Sequence, residues 1–178
     1  PPGRLRFLNP EEIQKLIDSS PEHLRPIIII ALNTGLRKSE ILSLRWDQID
    51  FVHNVITVIG KKTGERRIIP MNKTVKPTLM KLPRTSEYVF PGPKGKPIQS
   101  IKKSFKTACK KAGIENFRFH DLRHTFASYL VMAGVDLRTV AQLLGHKTLR
   151  MVMRYSHLSQ DHLQKAVDRI GTIMAHQS

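Results

Sequence analysis

Four short strings concentrate side chains able to act on a phosphate ester. Phe119-His-Asp-Leu-Arg-His-Thr-Phe126 holds two imidazoles and a guanidinium in close succession. On a helix, His120 and Arg123 lie three apart and share a face with His124 beside them, while Leu122, Phe126, Tyr129 and Ala133 cluster on the opposite, core-directed face. The i, i+4 spacing of His120 and His124 also matches a helical zinc pair. Against it, Arg123 sets a fixed positive charge inside the cluster, where a dication is repelled. Asp121 also does not match the general base of a zinc protease. Leu143-Leu-Gly-His146 is the second string and Arg154-Tyr-Ser-His157 the third. Of the three tyrosines, Tyr88 falls in an apolar strand and Tyr129 on a core face, so only Tyr155 has polar neighbours suited to activating a phenol. A free phenol titrates near pH 10, so it needs a base or cations close by to act as a nucleophile. The fourth string, Thr34-Gly-Leu-Arg-Lys-Ser-Glu40, puts another arginine, Arg37, just past a glycine, with Glu40 placed to pair with it.

The charge around these strings names the partner. Lys and Arg number 30 against 14 Asp and Glu, a net charge of +16 with a pI near 10.4. Residues 1–59 balance at seven of each sign, whereas residues 60–120 carry sixteen bases and three acids. So dense a block of like charge points to a polyanion, and to a phosphate backbone before a small-molecule substrate. With 40% hydrophobic and 25% charged residues the chain has a globular composition. The single Cys109 excludes an internal disulfide framework and a cysteine-built zinc site. The longest apolar run, Ile27–Leu32, is far too short to span a membrane. The opening Pro1-Pro-Gly-Arg4 has no initiator Met and no signal-peptide core. The chain is expected to be a piece of something longer, working in a reducing compartment.

The elements that must position these residues follow from periodicity and punctuation. Asn9-Pro-Glu-Glu12 reads as a helix start, with a helix to about Asp18. A second helix from near Pro21 carries Ile27–Leu32 and stops at Gly35, and Arg37–Leu44 forms a short third. Residues 54–59 and 67–69 are β-branched runs around Gly60-Lys-Lys-Thr-Gly64, a hairpin with lysines at its tip. Tyr88-Val-Phe90 is the candidate third strand. Helices are expected over Gln99–Ala112, 120–133, 136–144, 147–154 and Ser159–Ile170, with Gly134 and Gly145 as C-terminal caps. The last helix carries Leu163, Val167 and Ile170 in one stripe. The expected fold class is α+β, mainly α-helical, with a small three-stranded antiparallel sheet.

Taken in order, Thr-Gly-Leu-Arg37-x-x-Glu40-Ile-Leu, the hairpin lysine, His120-Asp-Leu-Arg123-His-Thr-Phe-Ala, Leu-Leu-Gly-His146 and Arg-Tyr155-Ser-His resemble the catalytic domain of the tyrosine recombinases, the phage-integrase family. The resemblance spans essentially the whole chain. It departs at Val152, where many relatives carry Thr. It implies residues 1–178 as a catalytic fragment without the family's N-terminal DNA-clamping domain. It also implies a tyrosine-recombinase fold and a transesterification that needs neither metal nor ATP. Its implied catalytic set is Arg37, Lys62, His120, Arg123, His146 and Tyr155, with Tyr155 as nucleophile and Lys62, in preference to the adjacent Lys61, as acid for the leaving oxygen. Lys61, Arg66, Arg67, Lys102, Lys103 and Lys106 are the expected DNA contacts. The implied partner is double-stranded DNA bearing recombination sites. A homotetramer is expected on synapsed DNA and a monomer when free, in a prokaryotic or phage setting at the nucleoid. Two other readings use the same strings: a type IB topoisomerase, which also cuts through a 3′-phosphotyrosine, and a non-catalytic helix-turn-helix regulator built on Phe126–His146.

Overall fold

The computed structural model describes residues 5–60 and 64–176. Among them the chain forms eight α-helices and three strands, divided into two compact units, one of Arg4–Phe126 and one built from Ala127–Ser178. Among the described residues, no helix is long and apolar enough to cross a membrane.

In the first unit, α1 (Pro10–Ser19) starts as its sequence dictates. The Asn9 side chain accepts the Glu12 N–H at 2.8 Å and the Glu12 carboxylate accepts the Asn9 N–H at 3.0 Å, with Pro10 at the first helical position. Helix α2 (Arg25–Thr34) buries Ile27, Ile28, Ile30 and Ala31 and stops at Gly35, whose φ of 69° suits a residue without a Cβ. It packs against α1, α3 (Lys38–Leu42) and α4 (Val75–Met80). Helix α3 is shorter than expected because the chain turns to meet a neighbouring segment: the Leu44 carbonyl accepts the Val89 N–H at 2.9 Å. Helix α4 was not expected, since Pro77 lies inside it. There the proline occupies the third helical position, where no N–H finds an intrahelical acceptor, and Asn72 caps the N–H groups of Thr74 and Val75.

The sheet is antiparallel in the order β1 (Ile49–Asp50), β2 (Val55–Ile59), β3 (Arg66–Pro70). Its register sets Ile56 opposite Ile69 and Ile59 opposite Arg66. Alternation sends Ile56, Val58 and Ile69 into the core and leaves Ile59 and Ile68 exposed. The expected third strand is corrected: Tyr88 makes only an isolated bridge to Arg45, and the strand beside β2 is the two-residue β1. Helix α5 (Lys102–Lys111) starts three residues after Gln99 and buries Phe105, Ala108 and Cys109. The core of this unit joins α1, α2, the sheet, α4 and α5 through residues such as Leu16, Ile28, Ile56, Val75 and Phe105.

Helix α6 (His120–Met132) crosses the boundary between the units after Phe126. In the second unit, α7 (Leu137–Leu144) is capped by Asp136, which accepts the Thr139 N–H at 2.9 Å, and ends at Gly145 with φ 73°. Residues 149–159 form 3₁₀ turns where an α-helix over 147–154 was expected. Helix α8 (Gln160–Ala175) runs five residues past the expected end and buries none of its side chains. It is tied back by His162, whose ring N–H donates to the Met132 carbonyl and whose ring lies over Gly134.

Candidate active site

The residues named for catalysis fall in both units. Arg37, His120 and Arg123 belong to the first, His146 and Tyr155 to the second. Lys62, together with Lys61, lies outside the described residues.

Arg37 is the residue before α3, with extended backbone angles, so the helix leads away from it and its side chain stays 40% exposed. Its backbone N–H donates to Glu40 at 2.8 Å. Arg123 is only 4% exposed, and its Nη1 donates to the Gly35 carbonyl at 2.8 Å. Gly35 is the turn that ends α2, so this bond seats Arg123 two residues from Arg37. A buried guanidinium donating to a main-chain oxygen is fixed in direction, which suits it to a defined phosphate position. The expected division of α6 into a solvent face and a core face is corrected. Asp121, Arg123, His124 and Thr125 are all buried beside Leu122, Tyr129 is half-buried and Ala133 exposed. Polar side chains bond main-chain groups instead: the Asp121 carboxylate accepts the nearby Arg118 N–H at 2.8 Å, and the Thr125 hydroxyl accepts the distant Leu8 N–H at 3.2 Å. His120 alone of this string is exposed, its ring edge-on to that of His124 at 5.0 Å.

Arg67 has a different place from the one expected of a DNA contact. Both its terminal nitrogens bond Glu40, at 2.7 and 2.8 Å, and its side chain is 12% exposed. Burial pushes the Glu40 carboxyl up, but the hydrogen bonds from Arg67 and the Arg37 N–H outweigh it and hold the group below the usual carboxylate range. This pair joins β3 to α3 across 27 positions of sequence, and only the i, i+3 spacing of Arg37 and Glu40 was legible beforehand.

In the second unit, the Gly145 turn presents His146, whose backbone N–H closes α7 by donating to the Ala141 carbonyl at 2.8 Å. Tyr155 is 2% exposed, within the 3₁₀ turns, and Arg154 lies 5.9 Å from its ring centre. The phenol is thus withdrawn from solvent, although its sequence neighbours are polar.

The α5 lysines split between two faces. Lys102, Lys106 and Lys110, with Lys38 and Arg118, rim a cleft of about 690 Å³ floored by Ile101, Phe105 and Phe119. Lys103 and Lys111 line a second cleft beside Ser19 and Ser20. Lys110 and Arg118 were not among the expected contacts, yet the i, i+4 spacing of Lys102, Lys106 and Lys110 marks one stripe. Arg66 is exposed at the start of β3. Burial pushes the Cys109 thiol up to about 11, so it stays protonated and takes no part in nucleophilic chemistry near neutral pH.

The profile of the phage integrase family matches residues 6–162. The integrase of Salmonella phage P22 is 36% identical over 96% of this chain and 48% of its own length, so the chain spans about half of that relative. Among solved structures, the catalytic domain of bacteriophage HP1 integrase is 31% identical, with a TM-score of 0.74 over 93% of this chain and 95% of that one. The XerH site-specific recombinase bound to difH substrate before cleavage is 25% identical, with a TM-score of 0.75 over 93% of this chain and 54% of that one.

Proposed function

Since this chain belongs to the phage integrase family, we propose that it is the catalytic domain of a tyrosine site-specific recombinase, which cuts and rejoins DNA through a covalent 3′-phosphotyrosyl enzyme. The observation that carries this reading is the 2.8 Å bond from Arg123 to the Gly35 carbonyl, which docks one arginine against the turn that delivers the other. Guanidinium forks suit the non-bridging oxygens of a pentavalent phosphorus, where negative charge develops.

In the proposed reaction the Tyr155 oxygen attacks the phosphorus and its proton passes to His120, whose unperturbed imidazole titrates closest to neutrality. The bond from phosphorus to the 5′-oxygen breaks, and Lys62 gives that oxygen a proton. The ester energy is kept in the phosphotyrosine, so a 5′-hydroxyl from a second duplex reverses the step and reseals the strand. Arg37 and Arg123 bind the phosphate oxygens, and His146 donates a further hydrogen bond there. No step calls for a metal or ATP.

DNA as the partner draws support from the positive middle third, and from XerH, a relative caught on its substrate. Helix α8 supports a multi-protomer assembly. Leu163 and Val167 are each 65% exposed, and Ile170, Ile173 and Met174 are exposed with them. A neighbouring protomer on synapsed DNA covers this stripe in a homotetramer, while charge repulsion keeps free copies monomeric.

The test is trapping on a nicked suicide duplex. The chain should give a covalent protein–DNA band on a denaturing gel, and Tyr155→Phe should abolish it with DNA affinity unchanged. A binding-only helix-turn-helix regulator leaves no band, and a linkage at Tyr88 or Tyr129 also overturns the assignment.

A further inference from the structure

Glu40 lies between two arginines and serves them unequally. One of its oxygens accepts the Arg37 backbone N–H at 2.8 Å and Arg67 Nη2 at 2.8 Å, and the other accepts Arg67 Nη1 at 2.7 Å. The Arg37 guanidinium stands 3.7 Å from that second oxygen with its side chain 40% exposed, against 12% for Arg67 and 9% for Glu40. The geometry points to Arg67 as a positioning residue that occupies the Glu40 carboxylate and so leaves the Arg37 fork available to a phosphate.

The argument is one of competition for a single anion. A carboxylate this buried must be neutralised by a hydrogen-bonded partner. The Arg67 fork does so bidentately, the strongest form of the interaction. Remove it, and Arg37 is the cation already poised beside the same oxygens. A small rotation of its side chain would close the 3.7 Å gap, and a guanidinium paired with a carboxylate of its own chain presents little net charge to DNA. Glu40 itself cannot simply be dispensed with, because it also accepts the Arg37 N–H and so fixes where α3 begins. Arg67 thereby reconciles two demands on Glu40: it holds the Arg37 backbone without capturing the Arg37 side chain. The inference rests on reading Arg37 as a phosphate ligand.

The test compares Arg67→Met, Glu40→Gln and the double variant with the wild-type chain by two readouts. The first is phenylglyoxal labelling of Arg37, followed by peptide mass spectrometry, which needs no catalysis. Arg37 should label readily in the wild type, several-fold more slowly in Arg67→Met, and readily again in the double variant, whose neutral amide no longer captures it. The second is single-turnover cleavage at saturating DNA. Arg67→Met should be slowed about tenfold or more, and the double variant should return to within about threefold of Glu40→Gln. A purely structural role predicts the reverse, with the double variant no better than Arg67→Met. That result, or unchanged Arg37 labelling in Arg67→Met, overturns the inference. If Arg67→Met does not fold, the double variant, which buries no unpaired charge, carries the test. Arg37 labelling well below that of Glu40→Gln then counts against the proposal. A wild-type chain that labels as described but forms no covalent DNA product sinks the recombinase reading alone.

Discussion

In the proposed reaction Arg123 and Arg37 do the same electrostatic work from opposite surroundings, one 4% exposed and fixed to a main-chain oxygen, the other partly in solvent. Each replacement by alanine should slow cleavage by about two to three orders of magnitude, the scale of one preorganised transition-state donor. Single-turnover rates check this. Because Arg123 is buried and anchors Gly35, its alanine variant should also lose thermal stability, whereas Arg37→Ala should not. Equal melting temperatures would show that the Gly35 bond contributes nothing to folding. Glu40 adds a pH dependence. Its carboxyl is held below the usual range in the folded chain, so its contribution to stability is present above that range and lost as pH falls through the depressed value. The stability gap between wild type and Glu40→Gln in urea melts should therefore be widest near neutral pH and shrink below about pH 4.

At the scale of elements, α8 is tied to its own unit by the side-chain bond from His162 to the Met132 carbonyl. Gly134 makes room for it: its φ is 93°, and a Cβ there would come within 3.0 Å of the His162 ring. Gly134→Ala should thus strain the turn and displace the imidazole, so that α8 amides exchange faster while those of α2 keep their protection. Unchanged exchange in α8 would mean that the helix is held by other means. Helix α5 makes a separate case. Lys102, Lys106 and Lys110 share a stripe and a cleft rim, so changing all three to Gln should lower the salt slope of DNA binding by up to about three phosphate contacts, with sequence preference intact. Fluorescence anisotropy over a salt series reads this directly, and a slope equal to that of wild type removes the stripe from the interface.

For the whole molecule, the issue is how the buried Tyr155 and the bare α8 relate to assembly. The 3₁₀ turns that hold Tyr155 run directly into α8. If, as proposed, a second protomer covers the apolar stripe of α8, the state of the nucleophile is linked to the number of copies on DNA. Truncation after Gln160 should weaken synapsis of two sites while largely sparing binding to one, as judged by native gels with one and two labelled duplexes. Loss of folding in the truncated protein would show instead that α8 supports its own unit.

Much of this was legible in the residues. Gly35 and Gly145 had to end helices, the β-branched runs had to pair across a short turn, and the arginine, histidine and tyrosine strings in their order marked the family. Local sequence determines such features because caps, periodicity and turn chemistry act over a few residues. The two-residue β1 was not legible, because two positions carry no alternation. Nor was α4, because the sequence does not say which turn of a helix a proline will occupy. The burial of Arg123 and Tyr155 and the capture of Arg67 by Glu40 were decided by tertiary structure alone. A charged or phenolic side chain reads as solvent-facing until distant segments close over it, and residues 40 and 67 meet only because β3 pairs with β2 and returns to α3.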